Sequence, residues 1–313
     1  MTTLPTVDTA AGTALAVVID GMQRVFCCHR ATLSGRFPPN SLAAIDECVR
    51  ARAPRLEIDL RFLSDDSMLV FHDAALDAET TGVGPVDALV RASCRELRYL
   101  HDRASRLCFL EEVVDRVRGS GTFLQVDLKL RPPISRERVQ RLAEALMPLA
   151  GRCFVGSQAH GNLRAIAESG VPVAFDPSLR WHYWPGRPAT SCIPARLGLH
   201  GLWDDSPLAQ IPGTTARDYC EARLRDLLGL APAAVEWMVD IGTLRHLASL
   251  GFPLGLELAQ HGIALSAWTM RDDGPQSSRE TLRALFALGA ETVITDHPPS
   301  LAACASALAH ESD

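Results

Sequence analysis

Lysine is almost missing from this 313-residue chain: Lys129 is the only one, although Lys and Arg together number 31. The surface cations are therefore arginines, and a lone lysine beside an acid, as in Asp127-Leu128-Lys129, stands out from the background. Its compact ammonium differs from a planar guanidinium in size and hydrogen-bond geometry. A positive balance is also lacking; the net charge of −6 argues against a broad nucleic-acid surface. None of the nine cysteines forms a C-x-x-C pair, and their number is odd. That disfavours a zinc site or a disulfide framework and points to small buried residues in a reducing compartment. No run of ~18 apolar residues exists, so no spanning helix is expected. The N-terminus has no basic region before its short apolar run, Leu15 to Ile19, and makes a poor signal peptide. A cytoplasmic protein is expected. No internal repeat or low-complexity tract appears.

Three short apolar runs interrupted by ionisable groups stand out: Val25–Arg30, Leu56–Leu60 and Leu69–Asp73. Side chains alternate faces in a strand, so Glu57 and Asp59 point the same way. Two carboxylates on one face repel and pay for desolvation unless a cation lies between them. A hard divalent ion, Mg²⁺ or Ca²⁺, answers that need. His29 precedes this pair and His72 follows it. Two imidazoles beside an oxygen-ligated metal suit general acid and base chemistry on a phosphate ester. Asp127 and Lys129 share a strand face in the same manner.

These residues carry a resemblance. The chain resembles the glycerophosphodiester phosphodiesterases through His29-Arg30, Pro39-Asn40-Ser41, Glu57-Ile58-Asp59, Val70-Phe71-His72-Asp73, Thr80-Thr81-Gly82, Leu110-Glu111-Glu112, Val126-Asp127-Leu128-Lys129, Ala267-Trp268-Thr269 and Ile294-Thr295-Asp296, all in family order. The resemblance implies a (β/α)₈ TIM barrel and a phosphoric diester hydrolase of glycerol and lipid metabolism, acting on a small-molecule phosphodiester. It implies His29 and His72 as catalytic acid and base, Glu57, Asp59 and Asp127 as metal ligands, and Arg30 and Lys129 as phosphate contacts. Trp268 either packs or faces the substrate. Arg271 adds positive charge near the mouth. Departures are Ala31 where the family has glycine, Pro39 where it has an acid, and Asp127 where it has glutamate. These leave the reaction centre intact and the substrate open. Rival readings are a phospholipase D-like or cyclic-phosphate-forming enzyme, a non-catalytic phosphate-binding barrel, and a metal-dependent aldolase or isomerase.

The pattern of strands and helices agrees with a barrel. Strands are expected near 25–29, 55–60, 122–129, 152–157, 171–175, 235–240, 264–269 and 291–295. Helices are expected from 42, and near 110–118, 135–149, 160–169, 242–250, 254–261 and 278–288. Ser64-Asp65-Asp66 reads as a turn that folds Met68–His72 back as an extra strand. Residues 1–24 read as an arm and 25–305 as one domain. That domain has an insertion at 73–110 and a long lid at 177–232 that opens on Trp181-His182-Tyr183-Trp184. Residues 306–313 read as a tail.

Overall fold

The computed structural model describes residues 15–130, 132–177 and 215–311. Eleven strands form one sheet among the described residues. They are β1 (Ala16–Ile19), β2 (Met22–Cys28), β3 (Arg55–Phe62), β4 (Met68–Val70), β5 (Cys108–Phe109), β6 (Phe123–Leu128), β7 (Cys153–Ser157), β8 (Val173–Phe175), β9 (Ala234–Asp240), β10 (Ala264–Met270) and β11 (Thr292–Thr295). Eight run parallel in the order β2-β11-β10-β9-β8-β7-β6-β3. The pairing of Cys28 with Leu56 joins β2 to β3 and closes them into a (β/α)₈ barrel.

Helices follow the barrel strands: α1 (Leu42–Arg50), α2 (Leu110–Val117), α3 (Arg136–Leu146), α4 (His160–Glu168), α5 (Ala216–Leu230), α6 (Ile241–Ser249), α7 (Leu254–Ala259), α8 (Pro275–Ala287) and α9 (Pro298–Glu311). Local chemistry starts several of them. Ser41 accepts from Ala44 N at 3.2 Å, and Asp240 accepts from Thr243 N at 2.9 Å. Each supplies an acceptor to an otherwise orphan first-turn N–H. The apolar faces of the helices pack on the outside of the barrel in one continuous core.

Three segments differ from the reading of the sequence. The end of the 1–24 arm is sheet: β1 pairs antiparallel with β2, Ile19 opposite Met22. Asp20 and Gly21 make the turn at φ 50° and 72°, the geometry in which an Asp-Gly pair connects two strands. Within the expected lid, Ala216–Leu230 is a barrel helix. It starts at a capping box in which Thr215 and Asp218 bond reciprocally. No proline lies between Pro212 and Pro232, so nothing interrupts it. The aromatic run 181–184 lies outside the described residues. The expected tail from 306 is the continuation of α9, which packs on β1 and β2 and reaches Glu311.

The insertion leaves from β3. β4 pairs antiparallel with β3, Leu60 opposite Val70, and β5 pairs with β4. Residues 73–107 then fold over a small core of their own that includes Phe71, Leu76, Tyr99 and Leu107. This wall holds His72 beside the mouth of the barrel.

Candidate active site

A cavity of about 460 Å³ opens at the C-terminal ends of the barrel strands, the end where barrels place their sites. His29, Arg30, Glu57, His72, Asp127, Lys129 and Trp268 all line it. Arg271 does not: β10 ends at Met270, and Arg271 points out to solvent.

The register of β3 on β6 sets the acidic cluster. Glu57 lies opposite Gln125, and Asp59 opposite Asp127. Inward-facing side chains therefore stack in layers, and oxygens of Glu57, Asp59 and Asp127 fall within 4.8 Å of one another. The level placement of Asp59 and Asp127 lets the shorter aspartate reach the cluster. Glu57 and Asp59 are 3% and 1% exposed. Burial, and then the charge of Asp59, push the Glu57 carboxyl up to about 7. Burial also raises Asp127. Burial works the same way on Asp59, but Lys129, His72, Arg30 and a bond from Asn40 outweigh it and hold its carboxyl low. The Lys129 ammonium lies 2.6 Å from Asp127 Oδ2 and 3.0 Å from Asp59 Oδ1. Burial alone would lower its pKa; Asp127, Asp59 and Glu57 raise it instead, so it stays charged.

Three carboxylates thus converge on Lys129 and the edge of Arg30, two cations for three acids. Asp59 Oδ1 is buried and accepts no well-directed hydrogen bond. Three converging carboxylates with these features could hold a divalent ion, and an all-oxygen set suits Mg²⁺ or Ca²⁺.

The loop after β2 fits around this cluster. His29, Arg30 and Ala31 form a single tight turn, with Arg30 at φ 50° and Ala31 at φ 57°. Ala31 thus keeps the left-handed backbone that glycine would adopt more cheaply. The Cys48 thiol donates to its carbonyl at 3.1 Å. The turn points Arg30 N at Glu57 Oε2, 2.7 Å away, and brings Arg30 Nε to 3.3 Å from Asp59 Oδ2.

Each histidine has a carboxylate behind it. His29 Nδ1 donates to Asp296 Oδ1 at 2.8 Å, and His72 Nδ1 to Asp73 Oδ1 at 2.6 Å. Burial works against the charged form of His29, but the Asp296 bond and the charge of Glu57 raise its pKa. Arg61 fixes the backbone at the second histidine by donating twice to the His72 carbonyl.

Reading by motif missed several of these residues. Asp73 and Asp296 sit inside quoted blocks, and their partnership with the histidines had no separate signal. Asn40, flanking the α1 cap, clamps Asp59: its Nδ2 donates to Asp59 Oδ2 at 2.8 Å, and its Oδ1 accepts from Asp59 N at 3.1 Å. One layer below the cluster, Arg55 forms a bidentate pair with Glu236 on β9, at 2.7 and 2.9 Å. Ser266 donates to the same carboxylate, and the guanidinium packs over the rings of Phe154 and Phe123.

The sequence model of the Glycerophosphoryl diester phosphodiesterase family matches residues 29–156. A glycerophosphodiester phosphodiesterase of Bacillus altitudinis is 28% identical over 151 residues, which are 45% of this chain and 60% of that protein. The match thus spans about 60% of the relative's length. Among solved structures, a phosphodiesterase of Oleispira antarctica in complex with the product sn-glycerol-3-phosphate superposes with a TM-score of 0.62 at 16% identity, covering 90% of this chain and 96% of the other. A glycerophosphodiester phosphodiesterase of Parabacteroides distasonis gives 0.61 at 14% identity, covering 92% and 97%. At these identities the superpositions speak for the barrel fold. The matched segment carries both histidines, the three carboxylates, Arg30 and Lys129, and over that segment the chain is similar to the glycerophosphoryl diester phosphodiesterase family.

Proposed function

We propose that this protein is a metal-dependent phosphodiesterase that hydrolyses glycerophosphodiesters to glycerol 3-phosphate and an alcohol. The observation that carries this reading is the grouping, around one cavity, of two carboxylate-anchored histidines with three converging carboxylates and two cations. A divalent ion on Glu57, Asp59 and Asp127 would polarise a non-bridging phosphate oxygen and offset the charge that develops there.

The chain's own residues supply the rest. Arg30 and Lys129 hold the remaining phosphate oxygens, already fixed in direction by their bonds to the cluster. Asp296 and Asp73 occupy Nδ1 of each histidine and leave Nε2 as the proton-carrying atom. One histidine takes the proton of the attacking hydroxyl, and the other gives a proton to the departing alkoxide. The attacking group is the substrate's own neighbouring hydroxyl. The resulting cyclic phosphate is opened by water with the two proton transfers reversed.

The test is turnover of glycerophosphodiesters after exhaustive chelation and after adding back Mg²⁺ or Ca²⁺, followed by phosphorus NMR. Activity is expected to vanish on chelation and return with the ion, with glycerol 3-phosphate as the end product. Undiminished turnover without metal rejects the metal's part. A product that stops at the cyclic phosphate assigns the enzyme to the cyclising class.

A further inference from the structure

The floor of the cavity carries an amide with only half of its hydrogen bonding strongly satisfied. Gln125 lies on β6 two residues before Asp127, level with Glu57. Its neighbours decide which way the amide faces. Arg55 donates to Oε1 from Nε at 3.1 Å and from Nη2 at 2.5 Å. A guanidinium has donors only, so the oxygen must face Arg55 and the NH₂ must face away from it. Among the described residues, the one acceptor that meets Nε2 is Met238 Sδ at 3.1 Å, a weak acceptor. Gln125 is 2% exposed, yet it lines the cavity. A buried donor without a good acceptor is costly, and an arriving oxygen recovers that cost.

The walls beside this donor are apolar. Met238 and Trp268 line the same cavity and belong to one cluster in the barrel interior. Gly156 leaves the room that the Met238 side chain takes; a Cβ there would lie 2.4 Å from Met238 Cε. A directed N–H between a thioether and an indole complements a short polyol, whose C–H faces pack on the walls while a hydroxyl oxygen accepts the bond.

We propose that Gln125 selects the glycerol part of the substrate, its Nε2 donating to a glycerol hydroxyl while Arg55 holds the amide in that orientation. The placement of the phosphate above it, on Arg30 and Lys129, rests on the phosphodiesterase reading.

Calorimetric titration of the Mg²⁺-loaded protein with sn-glycerol 3-phosphate and with methyl phosphate tests this. The two ligands share a phosphate monoester and differ in the hydroxyls. Gln125→Glu keeps an acceptor for Arg55 and removes the donor. Gln125→Met removes the donor without adding charge. The wild type is expected to prefer glycerol 3-phosphate by ~10-fold, equivalent to ~1.4 kcal/mol, and both variants are expected to bring the ratio to within ~2-fold. An unchanged ratio in a folded variant, equal weakening of both ligands, or no preference in the wild type overturns the proposal. Should Gln125→Met not fold, the Glu variant decides. Hydrolysis is a separate measurement: a glycerol preference without turnover would reject the phosphodiesterase and leave the subsite standing.

Discussion

Two charged clusters occupy successive layers of the same barrel, and they are balanced differently. On the floor, Arg55 meets Glu236 in a bidentate pair, with Gln125, Ser266 and Thr292 completing its bonds. One positive charge faces one negative, and the polar atoms of the pair have partners. One layer up, Glu57, Asp59 and Asp127 share Lys129 and the edge of Arg30, and burial, with the charge of Asp59 after it, raises Glu57 to about 7. A matched buried pair locks strands together. An unmatched cluster keeps a standing demand for a cation, and that is the layer to which the proposed chemistry is assigned.

The largest effect should come from unbalancing the floor. Arg55→Met leaves Glu236 buried without its cation and is expected to cost ~3–5 kcal/mol of stability, read from urea denaturation. Arg55→Met combined with Glu236→Leu should recover most of that loss. A single variant within ~1 kcal/mol of wild type would mean that the pair is not what holds this layer.

A smaller effect, of opposite character, is expected from relieving the upper cluster. The folded Glu57 carboxyl titrates near 7, and its ordinary value is 4.5. Between those pH values the folded protein keeps a proton that the unfolded chain has released. Its contribution therefore favours folding at low pH, is lost as pH rises from 4.5 to 7, and is flat above. The span amounts to on the order of 3 kcal/mol. Glu57→Gln should remove this slope in metal-free protein, so the difference in stability between the two proteins should change with pH across that window. Denaturation of both at several pH values under chelation checks it, and a pH-independent difference would place Glu57 outside the repulsive cluster.

The smallest of the three concerns Lys129, the cation shared by the acids. Lys129→Arg keeps the charge but replaces a compact ammonium with a planar fork. Displacing the phosphate by ~1 Å can cost ~10²-fold in rate. A loss of at least ~10-fold in kcat/KM is expected, equivalent to ~1.4 kcal/mol, with little change in Tm. Steady-state kinetics at saturating metal measures it; an arginine variant within twofold of wild type would make the lone lysine an accident of composition.

Alternation along short runs was enough to show that Glu57 goes with Asp59 and Asp127 with Lys129, because strand geometry has a period of two whatever surrounds it. The order of elements and the Met68–Val70 fold-back were legible for the same local reasons. Some local signals were present and misread. Asp20-Gly21 is a hairpin turn in plain view, and Thr215-x-x-Asp218 announces a helix within a stretch otherwise judged by its prolines.

Other features had no local signal. Whether a strand face looks into the barrel, and which strand lies beside it, depends on closure and register. Arg55 meets Glu236 from 181 positions away, and His29 meets Asp296 from 267. The sequence by itself determined which chemical groups this protein has and which of them share a strand face. Only the tertiary structure decided that Asn40 clamps Asp59, that Asp73 and Asp296 orient the histidines, and that Arg55 turns the Gln125 amide toward the cavity. Hydrogen bonds act over about 3 Å, and barrel closure alone brings residues so far apart in the chain to that distance.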